Sequence, residues 1–449
     1  MKIAIVGGVA AGTSAAAKVS RESEDADIVL FEKGKEISYA GCGLPYYISD
    51  IIQDRDKLVI NTPAKFAEKY GVDVRTEYEV LEVNSEQNSL VYKDLNSGEE
   101  DTYYYDKLII TTGAKPVMPP IPGIDLDNIV SLRTVKDADL IKEKINDTDT
   151  RHATIVGAGL IGLEMTEALK EAGLEVSVIE KMPAVLPLID DDMAQIVEEH
   201  LDDKEIELIL DDGVNKFVGN KTVEKVVTES GKEIDTDLVL MSIGVKPNVK
   251  LAKETGIKLG ETGAISVNQK LETSHNNIYS AGDCVESKHI LLDDPVWVPL
   301  ASTANKQGRI AGINAAGGNA EHKGILGTGI TKVFDLTVAT TGLSVKEAQN
   351  NGYSPVSVKI KGVNHAHYYP GMEKMHIKGV FDKKTGKILG ATVIGGDGAD
   401  KRIDVLTTAI YSGLTANDLF QLDLAYAPPY STPKDVASVL GMVAEKKIK

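Results

Sequence analysis

Residues 153–181 read ATIVGAGLIGLEMTEALKEAGLEVSVIEK, and this run decides the fold. ATIV is a short apolar run of strand length, and EVSVIE is a second one. Between them LEMTEALKEA carries helix formers with apolar residues on a helical period. The first strand enters the helix through Gly157-Ala158-Gly159-Leu160-Ile161-Gly162. In a dinucleotide-binding turn the first glycine makes the tight turn, the second lets the backbone approach a pyrophosphate, and the third lets helix and strand pack closely. The helix N-terminus then presents its amides to the phosphates. Glu164 follows in the first turns of the helix. Glu180 closes the second strand, where a carboxylate accepts the ribose 2′- and 3′-hydroxyls and repels a 2′-phosphate. That favours NADH over NADPH; Lys181 beside it tempers the preference and leaves NADPH open. The competing explanation, a plain strand–turn–helix, does not account for strand, turn, helix and acid all at this spacing.

A similar unit opens the chain. IAIVGG is a buried strand, residues 10–21 form a helix, and DIVLFEK is the second strand. In Gly7-Gly8-Val9-Ala10-Ala11-Gly12 the first and last glycines fit, and Val9 takes the middle place. Glu32, about 20 residues on, restores the match as a ribose ligand, with Lys33 after it. Two copies of one supersecondary unit predict an α/β chain with two Rossmann-like dinucleotide-binding domains. The Pro-rich AKPVMPPIPG at 114–123 and SIGVKPN at 242–248 read as connections that resist regular structure. The second nucleotide domain is therefore an insertion into the first, giving segments 1–113, 114–243, 244–322 and 323–449. The last changes character: SVKIKGV, MHIKGVFD and ILGATVIGG alternate like an antiparallel sheet, with DKKTG as a hairpin turn. A helix over about 400–413 and a Pro-containing tail follow, so the C-terminal domain is α+β.

Composition narrows the function. With 449 residues and 42% hydrophobic content the chain buries several cores, and its net charge of −18 argues against a nucleic-acid surface. No apolar run approaches a membrane span, and MKIAIVGGVAAG reads as a strand entering a turn rather than a signal peptide, so the expected location is cytoplasmic. Cys42 and Cys284 are too far apart in sequence to suggest a disulfide framework, and no metal site is expected.

One further segment takes its meaning from a resemblance. In NIYSAGD, residues 277–283, Asp283 follows a strand and a small-residue turn, where an Asp is often only a helix cap. The order first fingerprint, TTGAKP, full fingerprint, SIGVKPN, YSAGD resembles the flavoprotein disulfide reductase superfamily over nearly the whole chain. The resemblance implies FAD held by Gly7, Gly8, Gly12, Glu32, Lys33, Thr112, Gly113 and Asp283, with Asp283 on the ribitol. It implies NADH held by Gly157, Gly159, Gly162, Glu164, Glu180 and Gly244.

Dithiol members of that superfamily carry a CxxxxC pair, whereas SYAGCGLPYY at 38–47 holds one cysteine. A lone cysteine is ordinarily a small buried hydrophobe. Cys42, however, precedes a predicted helix with Pro45 in its first turn, where helix amides favour a thiolate. The segment resembles the single-cysteine branch: coenzyme A-disulfide reductases, NADH-dependent sulfur or polysulfide reductases, NADH oxidases and NADH peroxidases. Oxidase and peroxidase members typically hold His where this chain has Ala10, and GLPYY, HAHYYPG and AYAPPYS look like the coenzyme A-disulfide group. The resemblance implies Tyr368 and Tyr426 as proton donors, and Ser14, Lys18, Arg21, Ser38, Gly41, Asn305 and Lys434 as coenzyme A contacts. Lys and Arg on a first helix are otherwise solvated, and Tyr is common at interfaces. The expected protein is an FAD-dependent NADH:disulfide oxidoreductase acting on coenzyme A disulfide or a related persulfide or polysulfide. Its expected partners are a small disulfide or thiol and a second copy of the chain, with active sites shared across the interface. Two alternatives stand beside it: an NADH oxidase or peroxidase using a Cys42 sulfenic acid, and a flavoprotein redox sensor.

Overall fold

The computed structural model describes residues 1–147 and 149–449. The chain divides into two compact units, one of Met1–Val117, Arg133–Asp139 and Val245–Ile325, the other of Met118–Leu132, Leu140–Gly244 and Leu326–Lys449.

The first unit is built on a parallel sheet in the order Ile278–Ser280, Lys107–Ile110, Lys2–Val6, Asp27–Glu32, Val72–Thr76. Ile3, Ala4, Ile5, Leu30, Leu108, Ile109 and Ile110 are fully buried, as expected of a parallel sheet whose strands are uniformly apolar. The helix Ala10–Glu22 packs on the helix Ala301–Ala315, and small residues set the distance. A Cβ on Gly308 would overlap the Ala11 backbone, and one on Gly312 would crowd Ala15 and Lys18. A three-stranded antiparallel sheet, Tyr78–Asn84, Ser89–Asp94 and Glu100–Tyr104, belongs to the same unit.

The second unit contains the parallel sheet Glu207–Ile209, Glu175–Ile179, His152–Val156, Leu238–Met241, Ile129–Val130, with the helix Leu160–Glu171 between its paired strands. It also contains a five-stranded antiparallel sheet in the order Gly329–Val333, Leu336–Gly342, Ile388–Gly395, Lys374–Asp382, Pro355–Val363. The predicted DKKTG hairpin joins the strands Lys374–Asp382 and Ile388–Gly395, and the predicted helix runs over Ala399–Tyr411. The fold is thus α/β, with two parallel nucleotide-type sheets and a C-terminal antiparallel sheet.

The two Pro-containing connections differ from expectation. Ala114–Pro116 and Val245–Pro247 pair as a short antiparallel ribbon. Each proline lies at the end of its strand, where its missing N–H costs little. Among the described residues no helix is long and apolar enough to cross a membrane, and no cluster of three His, Cys, Asp or Glu could hold a metal ion.

Candidate active site

Both glycine turns are built alike. Gly7 and Gly157 sit at φ of 103° and 106°, a region open to glycine and costly for other residues. A Cβ on Gly12 would overlap the Gly7 carbonyl oxygen, and one on Gly162 the Gly157 carbonyl oxygen. A hydroxyl braces each turn from the neighbouring strand. Thr111 Oγ1 donates toward the Val6 and Gly7 carbonyls at 2.8 and 3.0 Å, and Ser242 Oγ toward those of Val156 and Gly157 at 3.1 and 2.8 Å. Sequence reading missed these braces. Their signal was present: a hydroxyl residue ends the strand in both TTG and SIG.

The closing acids match too. Glu32 accepts the Gly8 and Gly34 amides, both at 2.7 Å, and Glu180 accepts those of Ala158 and Met182 at 2.7 and 2.8 Å. Each carboxylate oxygen keeps a second lone pair for a ribose hydroxyl. The helices Ala10–Glu22 and Leu160–Glu171 have no side-chain cap and no acid in the first turn. By contrast, Thr62, Ser344, Thr415 and Asp435 cap their helices with side-chain oxygens. Two uncapped N-termini beside glycine turns and bidentate acids fit one dinucleotide in each unit.

In the first unit, Asp283 lies 2.8 Å from Arg133 Nη2, and its carbonyl accepts Trp297 Nε1 at 2.8 Å. Thr112 Oγ1 donates to the Asn248 carbonyl at 2.6 Å, Gly113 has φ 68°, and Lys33 is exposed. Arg133 carried no signal in sequence, being one Arg between Leu132 and Thr134 in a short segment, Arg133–Asp139, that belongs to this unit. In the second unit Thr331 Oγ1 donates to Glu164 at 3.1 Å, and burial raises the Glu164 pKa. Gly244 turns the chain at φ 101°.

Cys42 is exposed, in the single helical turn Gly41–Gly43, and the helix that follows, Leu44–Ile48, has five residues. So short a helix contributes little macrodipole, so it favours a thiolate less than the sequence implied. The turn is nevertheless firmly anchored. Leu44 and Ile48 are 1% exposed. The Ala40 amide donates to the Leu58 carbonyl at 2.8 Å, and Tyr47 Oη to Asp139 at 3.1 Å. Arg55 reaches both Asp139 oxygens at 2.9 and 3.1 Å and Glu36 at 2.7 Å. Burial pushes the Tyr39 phenol up to about 12. Cys284 is fully buried against the Ile110 and Ala281 carbonyls, and burial raises its pKa.

The remaining candidates fall into two groups. Ser14 Oγ donates to Asn305 Oδ1 at 2.6 Å across the helix pair. On the same helix, Lys18 pairs with Glu22, and the Arg21 guanidinium lies 5.3 Å from the centre of the Tyr70 ring. Ser38, at φ 51°, accepts Asn61 Nδ2 at 3.3 Å, and Gly41 is exposed. In the second unit the Tyr368 and Tyr426 hydroxyls are 3.2 Å apart on an exposed surface, and the Tyr368 hydroxyl raises the Tyr426 pKa. Lys434 is exposed nearby in sequence. Sequence reading missed what holds this group. Arg402, 2% exposed, donates through Nη2 to the Asn364 and Tyr430 carbonyls and to Asp435, at 2.8, 3.3 and 2.8 Å. It thereby ties the loop of Tyr368 to that of Tyr426.

Two glycine turns with acid-ended strands, one exposed cysteine and an antiparallel C-terminal sheet define a two-nucleotide redox protein. The chain belongs to the pyridine nucleotide-disulphide oxidoreductase family, whose model matches residues 1–308, followed by that family's dimerisation domain at 328–437. A NADH oxidase of Methanocaldococcus jannaschii is 37% identical over 449 residues, covering 100% of this chain and 99% of its own. A coenzyme A disulfide reductase of Staphylococcus aureus is 36% identical, covering 99% of this chain and 100% of its own. The solved structure of a NAD-dependent persulfide reductase from A. fulgidus superposes with a TM-score of 0.97 at 39% identity, covering 100% of this chain and 83% of that one.

Proposed function

We propose that the chain is an FAD-dependent NADH:disulfide oxidoreductase that reduces coenzyme A disulfide, or a related persulfide or polysulfide, through Cys42. The observation that carries this reading is the contrast between its two cysteines, one exposed on an anchored turn and one fully buried. With Cys284 sealed in the core, the thiol that pairs with Cys42 comes from the substrate.

The geometry supports a role for each group. Glu180 would hold the donor's ribose hydroxyls and the Leu160–Glu171 N-terminus its pyrophosphate, with Glu164 on the same helix as a further donor contact. Glu32, the Ala10–Glu22 N-terminus and Asp283 fit FAD in the corresponding way. Bound FAD supplies two-electron transfer between nicotinamide and disulfide. Cys42 thiolate attacks one sulfur of the disulfide, forming a Cys42–S–S–CoA bond as the other sulfur leaves. Tyr368 or Tyr426 gives that leaving thiolate its proton. Two electrons then cleave the mixed disulfide, returning the Cys42 thiolate and releasing the second CoA as a thiolate, which takes its proton from solvent, as does the tyrosine that gave the first. Ser14, Lys18, Arg21, Ser38, Gly41, Asn305 and Lys434 are the proposed CoA contacts, with the cations toward its phosphates.

The segments 1–113 and 244–322 form the FAD domain, 114–243 the NADH domain and 323–449 the dimerisation domain. The family's dimerisation domain supports a homodimer. In this dimer each site combines Cys42 of one subunit with Tyr368 and Tyr426 of the other, and the enzyme works in the cytoplasm. Anaerobic NADH consumption with coenzyme A disulfide, polysulfide or glutathione disulfide tests the assignment against oxygen and peroxide. Fastest turnover on a CoA disulfide or polysulfide is expected. The relative named as a NADH oxidase supports a second reading, in which Cys42 cycles through a sulfenic acid. Turnover of oxygen or peroxide far above every disulfide would establish it instead.

A further inference from the structure

Lys181 follows Glu180 directly, is 71% exposed, and places its Nζ 2.8 Å from Glu229 Oε1. Glu229 lies in the tight turn between the strands Val223–Thr228 and Glu233–Asp235, closed by the Gly231 amide donating to the Thr228 carbonyl at 3.1 Å. Two exposed side chains that meet are ordinarily of small consequence. This pair differs because backbone bonds fix its placement.

The Glu229 amide donates to the Gly213 carbonyl at 2.7 Å. Ser230 donates to Asp212 from its amide at 3.0 Å and from its hydroxyl at 2.6 Å. The loop at 211–213 is bonded in turn to the acid's own segment: Asp212 N to the Glu180 carbonyl at 3.2 Å, and Asp211 N to the Met182 carbonyl at 3.0 Å. A Cβ on Gly213 would fall 2.8 Å from Glu229 Oε1, so the glycine makes room for this carboxylate. The turn is therefore clamped beside the residues that end the second strand.

The chemistry at this spot concerns the donor's 2′-position. A 2′-phosphate brings close to two negative charges and needs a cation to offset them. Lys181 is the adjacent cation in the chain, and Glu229 already occupies it while adding a negative charge. We infer that Glu229 is a specificity-determining residue: it withholds Lys181 from a 2′-phosphate and so reinforces the discrimination that Glu180 begins. This inference rests on the reading that the donor's ribose lies against Glu180.

Calorimetric binding of adenosine 2′,5′-bisphosphate and of 5′-AMP to the FAD-loaded full chain tests it without recourse to turnover. In Glu229→Gln the bisphosphate should bind about three- to fivefold tighter relative to AMP, the scale of one exposed ion pair. The gain should vanish when Lys181→Met is added and shrink as salt is raised. The ratio of kcat/KM for NADPH over NADH should move in parallel. An unchanged ligand ratio in Glu229→Gln, with Glu180→Ala still altering it, would overturn the role of Glu229 and leave the donor site standing. A gain that survives loss of Lys181 would overturn the withholding of Lys181, since Glu229 would then act on the phosphate directly. If neither Glu180→Ala nor Glu229→Gln shifts either ligand, the donor site itself has been misplaced.

Discussion

Cys42 and Cys284 carry the same sulfur into opposite environments, and the difference sets what each can do. A nucleophilic thiol must be reached by its substrate and must ionise. Cys42 is exposed, whereas Cys284 is fully buried and burial raises its pKa. Cys42→Ser should therefore lower NADH-dependent disulfide reduction by several orders of magnitude while the flavin spectrum of the purified protein stays intact. Cys284→Ala should keep most of that activity; comparable losses in both variants would end the single-thiol reading. Mass measurement of the isolated protein should show an adduct on Cys42 that reductant releases as coenzyme A. The tyrosine pair offers a pH test. A phenol donates its proton only below its pKa, and the Tyr368 hydroxyl raises that of Tyr426 above its ordinary value of 10. Any fall in kcat caused by ionisation of Tyr426 should thus lie above pH 10, and in Tyr368→Phe it should move to lower pH. A falling limb that stays in place in that variant would show that the two hydroxyls do not act together.

At the scale of elements, each nucleotide turn is held by a glycine that admits close packing and a hydroxyl that fixes the carbonyls. Gly162→Ala would drive a methyl into the Gly157 carbonyl oxygen. The helix Leu160–Glu171 would have to shift, so KM for NADH should rise about five- to thirtyfold, the effect of losing one to two kcal/mol of binding. FAD content should be unchanged; joint loss of FAD would mean that the change has damaged more than the donor turn. The buried Arg402–Asp435 pair bears on stability instead. Arg402→Met leaves a buried carboxylate without its cation and should cost about 3–5 kcal/mol, read as a lowered urea midpoint. These two cases mark what sequence reveals. Glycine spacing and the acids Glu32 and Glu180 are local features, so both nucleotide units, the C-terminal hairpin and the cysteine turn were legible. Arg402, Arg133 and the Arg55–Asp139 contact join residues distant in sequence, and a single Arg has no pattern to betray it. The Ala114–Pro116 and Val245–Pro247 ribbon was hidden for a related reason: proline signals a break, and only the partner strand shows that the break falls at a strand end.

At the scale of the whole molecule, catalysis requires that the two chemistries, thiol and proton donor, meet. Tyr368, Tyr426 and Tyr430 are 67%, 46% and 69% exposed, yet Arg402 spends a buried charge on tying their loops together. Exposed aromatic groups on a rigid frame are what an interface requires. The family's dimerisation domain covers 328–437, the region that holds all three. A two-fold dimer repeats every contact, so the proposed sharing would give two equivalent sites, each with Cys42 from one subunit and the tyrosines from the other. This arrangement has a numerical consequence. In a heterodimer of Cys42→Ser with a Tyr368→Phe, Tyr426→Phe chain, one site receives both defects and the other receives none. Purified heterodimer should therefore show about half the wild-type rate per dimer, and a random equimolar mixture about a quarter. Sites contained within one subunit predict no recovery at all, because every site would then keep its own defect. Tandem tags that isolate only the mixed dimer make the comparison direct, and a rate at the level of the two parent variants would rule out sharing.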